Sequence, residues 1–478
     1  MESRRPALVL LATGMAMFAV FLDTTILYVA FPSIGATFRD VGPGGLSWVL
    51  NAYTITFAAL LIPAGRLADR IGRRRLFLGA VVLFTAASML CGLAVSVPML
   101  VASRVLQAVG AAAMVPSSLA VVLQSFPKEQ VPRAVAVWGA VGAVAGAAGP
   151  SLGSLVVERL DWRWAFFINL PVGVFSWLLS RRVLPEGRER NSGPIPDPFG
   201  AALLIVALSC ISYGIVHSEG DGWASPVVLG TITAGILVVG VFVWRCARVS
   251  APVLDLRLFR SANFSVANTA MLIYSVGFST LFLGNILFLT GVWHYSILQA
   301  GLAVSIGPTI VAILAPRMGR LAGRVGQRAI LLPGGLVWAS ASVWLMLRAD
   351  AEPAWAATFL PATVIGAVGV SMCMPQLGSA AVKDLPPNRL GQGSAVSQAT
   401  RNLGTTFGVS LTIALLAQHG GLQGFHHTWL VVLISGSCVS LLAILLPRHR
   451  SLPLSAEEVA GDTAPAVATS AAGPSAGR

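Results

Sequence analysis

The chain has 478 residues, 55% of them hydrophobic and 11% charged, with a mean hydropathy of +0.78. That balance excludes a water-soluble globule of this size and places most of the chain in a bilayer. The net charge of +13 does not point to nucleic acid, because the basic residues lie in short loops between apolar runs, where membrane topology accounts for them.

A helix crossing ~30 Å of hydrocarbon needs about 20 residues, with every backbone polar group satisfied inside the segment. By that measure the chain is all-α and integral to the membrane, with fourteen predicted spans: 7–31, 46–64, 76–97, 99–124, 133–157, 164–184, 199–217, 226–246, 264–290, 297–316, 329–348, 354–380, 393–418 and 427–446. The first follows Ser3-Arg4-Arg5 but is too long for a cleaved signal and lacks an A-x-A site, so it is expected to remain as a span. Span one holds Asp23, span four holds Arg104 and Gln107, span nine holds Asn285 and span thirteen holds Arg401.

An ionised group near the bilayer centre costs roughly 2.5–3.5 kcal/mol on insertion scales, so Asp23, Arg104 and Arg401 require a reason. By helix rise Asp23 lies ~13 Å and Arg104 ~8 Å below the outer boundary, close enough in depth to pair. A static ion pair is one reading. Proton coupling is the other, since Asp23 is the one carboxylate deep in a span and coupling needs an acid whose proton affinity changes with conformation. Arg401, ~12 Å from the inner boundary, either faces a cavity or snorkels inward. With Gln107 and Asn285 it makes up the candidate cavity residues. The five cysteines include no CxxC pair and the six histidines stand at span ends or in loops, so no metal site is expected.

With the N-terminus inside, all but six of the 32 Lys and Arg are cytoplasmic, which fixes an even span count and puts both termini in the cytoplasm. The stretch from Gly65 to Arg75 recurs from Gly319 to Ala329, identical at seven of eleven positions, and Lys128–Arg133 is echoed by Lys383–Arg389. Two six-span halves related in parallel follow. The expected organisation is a first bundle over 1–190, two inserted spans with their loops over 191–260, a second bundle over 261–447, and a disordered tail over 448–478.

The loop at 65–75 combines turn-permitting glycines, one acid and five arginines. Positive-inside anchoring explains the arginines but not Asp69 or the repeat, so a cytoplasmic gate is expected from Gly65, Asp69, Arg70, Gly72 and Arg73. In it Asp69 pairs with arginine and with a helix N-terminus of the opposite half. This loop resembles the G-x-L-a-D-R-x-G-R-R motif of the major facilitator superfamily. Span five, with Gly139, Gly142, Gly146, Gly149, Pro150 and Gly153, is similar to the antiporter motif of that superfamily's drug:proton exporters, with Ser154 where a second Gly is common. Glycines on one helical face permit close packing and Pro150 permits a kink. Arg104-Val105-Leu106-Gln107-Ala108-Val109-Gly110 resembles the R-x-x-Q-G-x-G motif. Leu22-Asp23-Thr24-Thr25 with Pro32, and Asp161-Trp162-Arg163-Trp164 with Asn169-Leu170-Pro171, resemble the fourteen-span drug:proton branch, with Tyr28 in place of the usual Asn, while Ala108 replaces the first glycine of the R-x-x-Q-G-x-G motif.

The resemblance implies the major-facilitator fold, two six-helix bundles plus two inserted central helices, in the cell membrane. It implies a proton-coupled exporter of small amphipathic molecules, drugs or antibiotics, working by alternating access. Proton coupling falls to Asp23 and Arg104, and the antiporter helix to Gly142, Gly146, Gly149, Pro150 and Gly153. The alternative is a transporter of an endogenous metabolite on the same fold, working by uptake or export, which has no need of the span-five glycines. No cofactor beyond the proton gradient is expected, since neither a Walker loop nor a kinase-like glycine loop is present. Nor is enzyme activity, which needs buried histidine clusters or an acid and base in register. The partners expected are the substrate, protons and lipid, without nucleic acid, around a monomer.

Overall fold

Apolar runs bounded by glycine, proline and serine become fifteen α-helices in the computed structural model, which describes residues 5–127, 130–186, 197–385 and 389–447. The tail expected to be disordered lies outside those residues, as do Lys128, Glu129 and residues 386–388 of the echoed loops. The first set is α1 (Arg5–Thr37), α2 (Pro43–Ile71), α3 (Arg73–Gly92), α4 (Val97–Ser125), α5 (Val131–Arg159), the single turn α6 (Trp164–Phe167) and α7 (Asn169–Val183). Then come α8 (Pro198–Asp221) and α9 (Pro226–Arg248), followed by a second set. This comprises α10 (Ala262–Gly291), α11 (Ile297–Val325), α12 (Gln327–Arg348), α13 (Leu360–Val382), α14 (Leu390–Gln418) and α15 (Gly421–Leu445).

Twelve of these helices are long and apolar enough to cross a membrane. The expected fourteen is not reached on length and composition, and the two that fall short do so for different reasons. The run 164–184 is interrupted at Ile168 because Pro171 has no N–H for the Phe167 carbonyl four residues back, which leaves α7 with 15 residues. Helix α14 has 29 residues but carries Gln392, Gln398, Arg401 and Asn402 among serines and threonines.

The repeat is visible in the turns and in the packing. Gly72 (φ 111°) links α2 to α3 and Gly326 (φ 90°) links α11 to α12, both in a region closed to most side-chain-bearing residues. Helix pairs α1·α5, α2·α4 and α3·α4 in the first set have counterparts α10·α14, α11·α13 and α12·α13 in the second. The sets meet along α5·α11 and α2·α14, again equivalent pairs, while α8 lies against α2, α9 and α14. Asp197 caps α8 by accepting from Phe199 N at 3.1 Å, and it pairs with Arg245 of α9. The hydrogen bond from Arg245 holds the Asp197 carboxyl below the usual carboxylate range.

One end of the assembly is sealed. A single apolar cluster at the arginine-poor end joins Ile34, Leu46, Leu50 and Trp162 of the first set to Phe288, Trp293, Phe359 and Trp429 of the second. Toward the arginine-rich end the clusters separate, one around Phe77 and Phe84 and another around Phe264 and Leu377.

Candidate functional site

Asp23 is placed by α1 in the interior of the first set, where α3, α4 and α7 each supply a polar side chain. Arg104 Nη1 donates to Asp23 Oδ2 at 2.6 Å, and the two side chains are 2% and 1% exposed. Gln107 Nε2 donates to Asp23 Oδ1 at 2.8 Å and Asn169 Nδ2 to the same oxygen at 3.1 Å. Ser88 Oγ accepts from Gln107 at 3.2 Å and Asn169 at 3.0 Å and donates to the Phe166 carbonyl at 2.9 Å, tying the cluster to the break between α6 and α7. Arg104 also donates to Gln107 Oε1 at 2.6 Å and to the Val49 carbonyl at 3.2 Å, with its guanidinium 4.0 Å from the Tyr53 ring centre. Three donors thus converge on one carboxylate, the arrangement a buried charge requires.

The depth argument from sequence brought Asp23 and Arg104 together, and the structure pairs them. It also corrects the reading of Gln107, which is fully buried in this network and does not line a cavity. Asn169 and Ser88 received no role from the sequence. Their signal was depth again: Asn169 lies ~8 Å and Ser88 ~13 Å from the outer boundary by helix rise, level with Arg104 and Asp23.

Of the other candidates, Asn285 is half-buried on α10 with Oδ1 unpartnered among the described residues. Arg401 is half-buried on α14, within electrostatic reach of the Tyr28 and Tyr274 phenols on α1 and α10. It stands one turn before Gly404, whose Cβ position would meet Ser275, on the stripe of α14 that faces α10.

The loop at 65–75 departs from expectation. Among the described residues Asp69 pairs with Arg73, one turn on, at 2.8 Å, and not with a helix N-terminus of the second set. Arg70 is exposed, Gly65 packs against Pro116, and Gly72 makes the turn that brings Arg73 back onto Asp69. The physical reason is local: the turn at Gly72 brings the Arg73 guanidinium within reach of the Asp69 carboxylate one helical turn back.

The span-five motif divides. A Cβ at Gly142 would stand 2.9 Å from Phe21, one at Gly149 would overlap Thr25, and one at Gly153 would stand 2.7 Å from Ile26, so these three press on the α1 segment that bears Asp23. Pro150 is buried at the crossing with α11, its carbonyl 2.6 Å from the Cβ position of Gly301. Gly301 also makes room for Ser154, which explains how the larger residue fits. A Cβ at Gly146 meets nothing within 4 Å, so it belongs to no such contact.

The family model described as Major Facilitator Superfamily matches residues 13–279 and 267–473. The chain belongs to that superfamily. Among its relatives, the multidrug resistance protein Stp of Mycobacterium tuberculosis is 32% identical, over 87% of this chain and 76% of that protein. The tetracenomycin C resistance and export protein of Streptomyces glaucescens is 31% identical, over 87% and 77%. The multidrug export protein EmrB of Haemophilus influenzae is 29% identical, over 88% and 82%. In fold, the chain is similar to a POT family transporter solved with 5-aminolevulinic acid, with TM-score 0.67 and 15% identity over 92% of this chain and 95% of that one. It is an integral membrane protein of the major-facilitator fold, and this superfamily consists of transporters of small molecules.

Proposed function

We propose that the chain is a secondary transporter exporting small amphipathic molecules, drugs or antibiotics, in exchange for protons. The observation that carries this reading is the buried Asp23 carboxylate, held by Arg104, Gln107 and Asn169 on the segment of α1 whose Phe21, Thr25 and Ile26 meet Gly142, Gly149 and Gly153 of α5. A proton taken up by Asp23 removes the charge that Arg104 pairs with and frees α1 from α4 and α7. Because α5 packs on both α1 and α11, a shift of α1 is transmitted to the second set. The names of the relatives, resistance and export proteins, support the direction of transport.

In this reading α6 with α7, and α14 shielded by α2, α8 and α10, complete fourteen spans arranged as two bundles with α8 and α9 inserted. The arginine-rich end and both termini face the cytoplasm, so the sealed end lies outside. Asp69 and its neighbours act as the inner gate. A proton moving inward supplies ~2.3 kcal/mol per 100 mV without any further cofactor, and a monomer suffices.

Substrate-induced proton release from purified protein is the test. Asp23→Asn is expected to abolish release while leaving binding of a neutral substrate, and Asp23→Glu to retain part of it. Release at the wild-type level from Asp23→Asn would place the coupling acid elsewhere.

A further inference from the structure

Arg401 stands eleven residues into α14, ~16 Å by helix rise and further than its own side chain reaches, so the boundary cannot solvate it. It shares a stripe with Ser397, Gly404 and Gly408. A Cβ at Gly404 would lie 2.6 Å from Ser275, and one at Gly408 would overlap the Val276 carbonyl oxygen, so this stripe faces α10. Tyr274, next to Ser275 on that segment of α10, belongs to the second set's inner cluster.

No carboxylate among the described residues pairs with Arg401, because the deep one, Asp23, is taken by Arg104. The neighbouring groups are donors as well. Tyr274 Oη and Ser397 Oγ are buried and unpartnered among the described residues. One half-buried positive charge, with hydroxyl donors on its own stripe and on the facing helix, is complementary to an anion that accepts hydrogen bonds.

We infer that Arg401 and Tyr274 form the docking subsite for an ionised acid group of the substrate, so that the chain carries amphipathic organic anions in preference to uncharged analogues. The inference rests on the proposed export function and specifies its substrate class. An anion moving out against a proton moving in carries two charges in the same direction, so an inside-negative potential drives anion export more strongly than export of an uncharged compound.

The test uses the full chain in proteoliposomes with a matched fluorescent pair, dansylglycine and its uncharged amide. The wild type is expected to prefer the acid about tenfold, the scale of one charge-assisted hydrogen bond. Arg401→Gln removes the preference while still transporting the amide, Tyr274→Phe weakens it, and Arg401→Lys keeps part of it. Collapsing the potential at constant pH gradient slows the acid more than the amide. Equal handling of the pair by the wild type, or equal loss of both in Arg401→Gln, overturns the inference and leaves export standing. If the wild type moves neither probe, nor any compound of a cationic, neutral and anionic panel, the export reading falls with it.

Discussion

Asn169 shows how much of this site depends on one amide. It donates to Asp23 and to Ser88 from the first residue of α7, just past the break that Pro171 enforces. Losing a hydrogen bond to a charged group costs about 1.5–3 kcal/mol, so Asn169→Ala is expected to lower transport roughly tenfold or more at matched surface expression. Accumulation assays with quantified protein levels measure this, and wild-type transport would reduce Asn169 to a spectator. The residue was within reach of sequence reasoning, since its depth matched that of Arg104. What sequence lacked was the azimuth, because rotation about a helix axis is fixed by neighbours, and the same ignorance placed Gln107 in the cavity.

At the scale of helices, the span-five motif yields opposite outcomes for glycines four residues or less apart. Gly149→Ala forces a methyl onto Thr25, an overpacking worth about 1–3 kcal/mol, whereas Gly146→Ala enters open space. The first is expected to lower the melting temperature in detergent and impair transport, and the second to leave both near wild type. Equal effects would return the motif to generic small-residue packing. The pairing of α8 with α9 makes a separate prediction about acid. Asp197 has a lowered pKa, so its contribution is present above the unfolded carboxylate value of ~3.9 and lost as pH falls through the lower folded value. Melting curves of Asp197→Asn against pH are expected to lie below wild type at neutral pH and to converge with it in acid. Parallel curves at every pH would show that the Arg245 pair contributes nothing.

For the whole molecule, the sealed end is where alternating access is most directly tested. Asn51 Nδ2 donates to Ser410 Oγ at 2.9 Å, and the Thr54 and Thr406 hydroxyls are 2.7 Å apart, so α2 and α14 touch across the two sets. In a cysteine-free background, Asn51→Cys with Ser410→Cys is expected to form a disulfide that stops transport and is reversed by reductant. Continued transport by the oxidised pair would mean this contact does not open during the cycle.

What local physics controls can be read from the residues alone. Hydrocarbon thickness sets helix length, so twelve of the fourteen spans read from the sequence, the turns at Gly72 and Gly326 and the repeat are written in composition and spacing. Helix rise sets depth, which paired Asp23 with Arg104. Tertiary structure alone decided what depends on lateral packing. It settled that α14, read from the sequence as span thirteen but not apolar enough to count among the twelve, is enclosed by α2, α8 and α10. It settled that Asp69 meets Arg73 and, among the described residues, not the other half, and that Arg401 stands on the stripe of α14 facing α10 with no carboxylate paired to it among those residues. Depth along a helix is a property of one segment, but a partner is a property of two, and only the packed molecule contains both.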